Sequence, residues 1–534
     1  MNPQKSIIEG KTILGIELGS TRIKAILIDE HFRPVAAGSH DWENKYENGI
    51  WTYHLDDVLK GLQASYKNLT DNVSVNYGLP LTSIGAVGIS AMMHGYLVFD
   101  KNEKQLAQFR TWRNTSTEKA AALLTEKFQF KIPLRWSIAH LYQAILNKEE
   151  HIKDIDFITT LAGFVHWKLT GNKTLGVNDA SGMFPVDSKI NNYNSKMLEQ
   201  FDETAFSFGF RQKIANLLPK ITQTGEAAGI LSPEGALLLD PSGTLKPGIP
   251  LCPPEGDAGT GMVATNSITE KTGSISAGTS AFAMIVLEKP LSKVYSEIDI
   301  VLTPDGKTTA LVHCNNCASD IDAWVRLFNE VIELAGIKTD KTALYNMLYN
   351  KALEANNDND GLLAYNYYSG EHITGFEEGR PLFVRLPESN FTLANFMRTM
   401  LFSAFGTLKY GMNILTEKEN VSLDSLLGHG GLFKVKGTAQ RYMAAAFNTP
   451  VSVMEESAAE GGAWGIALLA AYMLQSKLHT PPVSLEQFLK QNVFKNVSIT
   501  KIEPNPDDVN CFNKYMECYT AGLKIEQAAI ENFK

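Results

Sequence analysis

Cysteine is scarce in this chain: five among 534 residues, an odd and scattered set that builds no disulfide framework and leads us to expect reduced thiols in a cytoplasm. Cys314-Asn-Asn-Cys317 has the spacing of a redox pair or of half a zinc site. No second CxxC follows, and Cys511 and Cys518 bring no matching spacing, so neither chemistry is expected. Long apolar runs are also missing. The best, Ala463 to Leu474, is short and rich in alanine and glycine, well under the about 18 residues that cross a bilayer, so no membrane partner is expected. The opening MNPQKSIIEGK lacks the apolar core of a signal peptide. Positive charge is not in excess either: 49 Lys and Arg against 58 Asp and Glu give a formal net charge of −9. A duplex nucleic acid calls for a basic face that displaces counterions. Small molecules are the expected partners instead.

What is present is an ordinary globular composition, 44% hydrophobic and 20% charged, on a chain too long for one hydrophobic core. TILGIELGSTRIKAILID reads as strand, tight turn and strand around Gly19-Ser20-Thr21. KTGSISAGTSAFAMIVL repeats the idea around Gly278-Thr279-Ser280. Two such hairpins, each near the start of about half the chain, read as an internal duplication. The polar stretch Thr265 to Lys271 marks the boundary, giving expected domains over 12–265 and 266–534. SIGAVGIS reads as a further strand, and AWVRLFNEVIELAG, ANFMRTMLFSAFGTLKYGMNIL and EGGAWGIALLAAYML carry a helical period. The pattern is α/β in both halves. NNDNDG, Asn356 to Gly361, is expected as a surface loop, and a last amphipathic helix follows PNPDD.

A turn of glycine and hydroxyl residues lets backbone N–H groups point outward at close range, which suits a phosphate; the plain alternative is a tight turn and nothing more. The repetition favours phosphate. Gly430-Gly431 in GHGGLFKVKGTAQRYMAAAF stands ahead of a helical pattern and offers bare backbone to a nucleotide, while no GxxxxGK[ST] loop occurs. EGDAGTGMVA, Glu255 to Ala264, places Asp257 among small residues. Read alone, that aspartate is as much a helix N-cap as a catalytic acid. His94 after the strand AVGIS is, read alone, a structural histidine.

Gly15-Ile-Glu-Leu-Gly-Ser-Thr-Arg-Ile-Lys24, Met93-His94-Gly95, Trp112-Arg-Asn114, Leu169-Thr-Gly171, Gly256-Asp257-Ala258, Gly278-Thr-Ser280, Gly430-Gly431 and Glu460 to Ala467 follow one another in the order found in the FGGY family of carbohydrate kinases. The resemblance spans nearly the whole chain. It implies two actin-like, ribonuclease H-like α/β domains with a cleft between them. It also implies Asp257 as catalytic base, Met93, His94, Gly95, Trp112 and Asn114 as sugar-binding residues together with Asp257, and Gly19, Ser20, Thr21, Gly278, Thr279, Ser280, Gly430, Gly431 and Leu432 as nucleotide-binding residues. ATP and Mg²⁺ are the implied cofactors. Glu17 stands where many relatives carry aspartate, as a magnesium ligand through water or, alternatively, bonded to the backbone of the opposing turn. Trp112-Arg113-Asn114 departs from the common Trp-Asn-Asp, which alters the polarity of the sugar pocket. Trp51 is expected in a domain contact. The activity implied is phosphorylation of the terminal primary hydroxyl of a ketopentose, L-ribulose first and D-xylulose as the alternative, in the cytoplasm. A nucleotide-dependent sugar sensor without transfer is the reading from another class. Oligomeric state is not legible, and a homodimer stays open.

Overall fold

The computed structural model describes residues 3–356, 361–454, 461–476, 483–495 and 497–533. Most of the NNDNDG segment and Glu460 therefore lie outside the described residues. The chain forms two compact α/β units. The first comprises Met1–Ile268, Ile300–Thr309 and Glu456–Val497, and the second Thr269–Asp299, Ala310–Glu455 and Ser498–Lys534. The units are interleaved rather than sequential, because a helix late in the chain supplies apolar cover to the first sheet.

That first sheet contains β1 (Ile13–Leu18), β2 (Arg22–Ile28), β3 (Pro34–Asp41), β4 (Ala86–Ala91), β5 (Gly229–Ile230), β6 (Pro250–Leu251) and β7 (Glu255–Gly256), in the order β5-β6-β4-β1-β2-β3 with β7 also on β4. β1 and β4 run parallel, with Glu17 beside Ser90, and β2 returns antiparallel, with Glu17 beside Lys24. β4 is buried along its whole length, as a continuous apolar strand covered on both faces should be. The 23-residue helix Leu55–Tyr77 packs against β3 on one face. On the other lies α3 (Gly461–Ser476), nearly all buried, which follows α1 (Val177–Ser181) and α2 (Asp257–Ala264) in the chain. Gly15 permits this approach: a Cβ there would collide with the Ala463 carbonyl of α3.

The second sheet repeats the plan with β8 (Thr272–Ala277), β9 (Ala281–Val286), β10 (Ile298–Leu302), β11 (Thr308–Cys314), β12 (Ser425–His429), β13 (Val451–Met454) and β14 (Ile499–Ile502), ordered β10-β11-β9-β8-β12-β13-β14. β8 pairs antiparallel with β9 and parallel with β12, as β1 does with β2 and β4. The duplication read from the sequence is thus present as sheet topology. Helices Ser319–Leu334, Leu393–Asn413 and Pro506–Asn532 belong to this unit; the second is buried along most of its length because both its faces are covered. No helix among the described residues is long and apolar enough to cross a membrane. All five cysteines are free, and burial pushes the Cys317 thiol up to about 12.

Candidate active site

The parallel strand β4 ends at Ala91 and releases the chain into Met92-Met93-His94-Gly95, while neighbouring β7 releases it into α2. Both segments leave the same edge of one sheet, so Asp257 and Met93 meet although 164 residues separate them. Asp257 is the first residue of α2; Gly256 is the cap. The N-cap alternative is therefore displaced by one position. Asp257 Oδ1 accepts the Met93 N–H at 3.2 Å and the Ala258 N–H at 2.9 Å. Among the other described residues none donates to Oδ2. Burial raises the carboxyl above its ordinary value, opposed by those N–H groups and by the Arg135 guanidinium. The bare neighbourhood has a steric cause: a Cβ at Gly256 would run into Met93, and one at Gly259 into Asn178.

His94 adopts φ 69°, a left-handed conformation rare for a side-chain-bearing residue. Its ring stacks on Trp136 with centroids 6.2 Å apart, and its Nδ1 lies 3.0 Å from the Gly182 carbonyl. A carbonyl only accepts, so Nδ1 carries the proton and Nε2 presents a lone pair. Burial, reinforced by Arg135, pushes this imidazole down to about 3, so it stays neutral and its Nε2 lone pair is able to accept a hydrogen bond. Gly95 is fixed by the Arg135 carbonyl, which accepts its N–H at 3.2 Å, and by the Ser137 hydroxyl, which donates to its carbonyl at 2.5 Å.

Trp112 is partly exposed and donates its indole N–H to Ser20 Oγ at 3.2 Å, which ties the tryptophan to the first hairpin tip. Asn114 is buried, and its amide is occupied by the fold: Nδ2 donates to the Trp51 and Thr111 carbonyls at 2.8 and 3.0 Å, while Oδ1 accepts the Trp51 N–H at 2.9 Å. Arg113 stacks on the Trp51 ring at 4.0 Å. Trp51 is thus held inside the first unit by the Trp-Arg-Asn segment.

Glu17 does not bond to the opposing turn. Its carboxyl takes backbone N–H groups of Gly462 and Ala463 in α3 and is pushed up to about 7 by burial, with Lys24 opposing and Asp257 adding to the rise. Among the described residues no group of three metal-ligating side chains occurs.

The two hairpin tips share one electrostatic arrangement. At the first, the Gly19 and Ser20 carbonyls accept from the Trp42 indole at 2.7 Å and the Tyr53 hydroxyl at 2.6 Å. At the second, the Gly278 and Thr279 carbonyls accept the Ala318 and Cys317 N–H groups, both at 2.9 Å. Among the described residues the N–H groups of Ser20, Thr21, Thr279 and Ser280 have no hydrogen-bond partner. Each tip therefore turns its carbonyls inward and keeps its N–H groups open, the polarity an anion requires. Gly430 has φ 101°, and a Cβ there would lie 2.6 Å from the Ala277 carbonyl of β8. Beyond it comes a short 3₁₀ turn, Gly431–Lys434, which includes Leu432; the α-helix begins only at Thr438.

Sequence reasoning missed Glu255, Asn178, Asp179 and Thr260. All four are buried around Asp257, with Thr260 Oγ1 3.0 Å from Ser90 Oγ of β4. Only the adjacency of Glu255 to the GD pair could have signalled any of them.

The N-terminal and C-terminal domain signatures of the FGGY family of carbohydrate kinases match residues 12–263 and 273–474, and the chain belongs to that family. The xylulose kinase of Haemophilus influenzae is 23% identical over 471 residues, which cover 84% of this chain and 89% of that one. Ligand-bound xylulose kinase from Lactobacillus acidophilus superposes with a TM-score of 0.77 at 17% identity, covering 98% of this chain and 99% of its own. Gluconate kinase from the same organism gives 0.77 at 17% identity, with 97% and 98% covered. Structural likeness at this level fixes the actin-like kinase fold and leaves the acceptor sugar open.

Proposed function

We propose that this carbohydrate kinase transfers the γ-phosphoryl group of ATP to the terminal primary hydroxyl of D-xylulose. Curated relatives from Haemophilus influenzae, Escherichia coli and Lactococcus lactis are named xylulose kinases, which favours D-xylulose over the L-ribulose that the sequence put first. The observation that carries the reading is the pairing of Asp257 with the Met93-His94 turn. Oδ1 is tethered, so Oδ2 takes the hydroxyl proton while the hydroxyl oxygen attacks the γ-phosphorus and the bond from that phosphorus to the bridging oxygen breaks, releasing ADP; Nε2 of neutral His94 accepts from a neighbouring sugar hydroxyl. Ser20, Thr21, Thr279 and Ser280 offer N–H groups to phosphate, and Gly430, Gly431 and Leu432 offer bare backbone to the rest of the nucleotide. Mg²⁺ would accompany ATP and be held mainly by its phosphates and water, with Glu17 offering a carboxylate near Asp257. The described residues form no group of three metal-ligating side chains, which fits an ion carried by the nucleotide.

Coupled detection of ADP with D-xylulose, L-ribulose, D-gluconate and glycerol tests this. We expect kcat/KM for D-xylulose to exceed the others by at least about tenfold, the scale set by a few hydrogen bonds lost to the wrong hydroxyl configuration. A maximum with L-ribulose would move the substrate assignment, and no ADP release with any acceptor would leave a nucleotide-dependent sensor.

A further inference from the structure

We propose that Glu255 and Asn178 form a reciprocal capping pair between α1 and α2, and that both are positioning residues for Asp257 and His94 rather than ligands of sugar or nucleotide. The inference rests on the reading of Asp257 as the base.

The first N–H groups of a helix have no intrahelical partner, and a serine, threonine or aspartate at the cap ordinarily takes the one three positions on. Neither α1 nor α2 has such a residue. Their caps are Gly176 and Gly256, without side chains. In each helix the N–H at the third position is claimed from the other segment. Glu255, one residue before the cap of α2, accepts the Asp179 N–H of α1 on Oε2 at 3.0 Å. Asn178, the second residue of α1, accepts the Gly259 N–H of α2 on Oδ1 at 3.1 Å. The exchange is symmetrical in role.

It also explains the glycines. A Cβ at Gly176 would fall on the Glu255 carboxyl, and one at Gly259 on the Asn178 amide. The helices lack caps of their own because the space is filled by each other's. Asn178 is fully buried, Glu255 is 1% exposed, and the Asn178 Nδ2 is further fixed by donating to the Leu302 carbonyl at 2.6 Å.

The consequence reaches both reacting groups of the sugar side. α2 begins with Asp257, so the Gly259 bond sets where that carboxyl stands. The C-cap of α1 is Gly182, whose carbonyl accepts the Nδ1–H of His94. One five-residue helix thus fixes the aspartate through its first turn and the histidine through the carbonyl of its C-cap. Because an ångström of misplacement costs roughly a hundredfold in a transfer reaction, this pair is expected to act on turnover.

Glu255→Met and Asn178→Leu remove the accepting oxygen at similar volume, and Glu255→Gln retains it. In steady-state assays of the full chain with D-xylulose and ATP, Glu255→Met and Asn178→Leu should each lower kcat by about 10- to 100-fold. The KM for ATP should stay within about twofold of the parent, and Glu255→Gln should keep kcat within about threefold, since its amide oxygen still takes the Asp179 N–H. In an Asp257→Asn background, Glu255→Met should lower the residual rate no further, as residues acting through one group do. Parental kcat in folded Glu255→Met, or an equal rise in the KM for ATP, overturns the proposal. Should Glu255→Met fail to fold, Glu255→Gln decides: a loss of tenfold or more overturns it. A parent chain that releases no ketose-dependent ADP refutes the functional reading instead, before any variant is compared.

Discussion

The two hairpins, Ile13–Ile28 and Thr272–Val286, are the same device with different cargo. Each central strand is flanked by an antiparallel partner and a parallel one, and each tip opens its N–H groups while its carbonyls are tied down. The differences lie one residue before the last of each central strand and at the end of its parallel neighbour. β1 carries Glu17 where β8 carries Ser276. β4 runs on into Met93-His94, beside which β7 sets Asp257, whereas β12 ends at His429 and runs on into Gly430-Gly431. What the two sheets hold in common, open N–H groups at a glycine-hydroxyl tip, suits an anion in each. What distinguishes the copies suits acid and hydroxyl chemistry in the first and close backbone approach in the second.

The comparison breaks most visibly at Asp257. Asp257→Asn removes the proton acceptor and should lower kcat by about 10²–10⁴-fold in the ADP assay, with the KM for ATP little changed. Gly430→Ala attacks the other copy. The added methyl meets the Ala277 carbonyl at a φ that a side chain rarely adopts, so the KM for ATP should rise about tenfold or more, the scale of 1–3 kcal/mol of backbone strain, and the KM for D-xylulose should hold.

A pH profile sharpens the distinction further. The Asp257 carboxyl lies above its ordinary value, so activity is present above that raised pKa and lost as pH falls through it, with a one-proton slope centred above about 3.9. His94, neutral down to about 3, adds nothing in that window. The smallest effect belongs to Glu17. Glu17→Gln should change kcat only a few fold while abolishing a shallow inflection near 7, where its carboxyl titrates; Ser276 has no such counterpart.

The fold was legible because periodic apolar runs and two glycine-hydroxyl turns specify sheets and hairpins locally. Asp257 and His94 could be singled out only through the motifs that carry the family resemblance, since read alone one is as much a helix N-cap and the other a structural histidine; what the motifs did not show is that two strand ends bring Asp257 against the Met93 N–H at one edge. Asn114 shows the limit. Its place in a motif said sugar, yet its amide is engaged with Trp51, a partner 63 residues away that no spacing announces. The Gly430 segment shows another, since a helical pattern did not reveal the intervening 3₁₀ turn. Glu255 and Asn178 were invisible because a cap contributed by a distant segment leaves no local signature; its trace is only the glycines it makes necessary.

Division of labour between the copies is the central claim, and calorimetric titration of ATP and of D-xylulose into His94→Gln and Gly430→Ala tests it most directly. The account expects crossed losses: His94→Gln weakens the sugar by about tenfold or more, as loss of a buried hydrogen bond should, and leaves ATP alone, while Gly430→Ala does the reverse. Two variants that both lose the same ligand would contradict it.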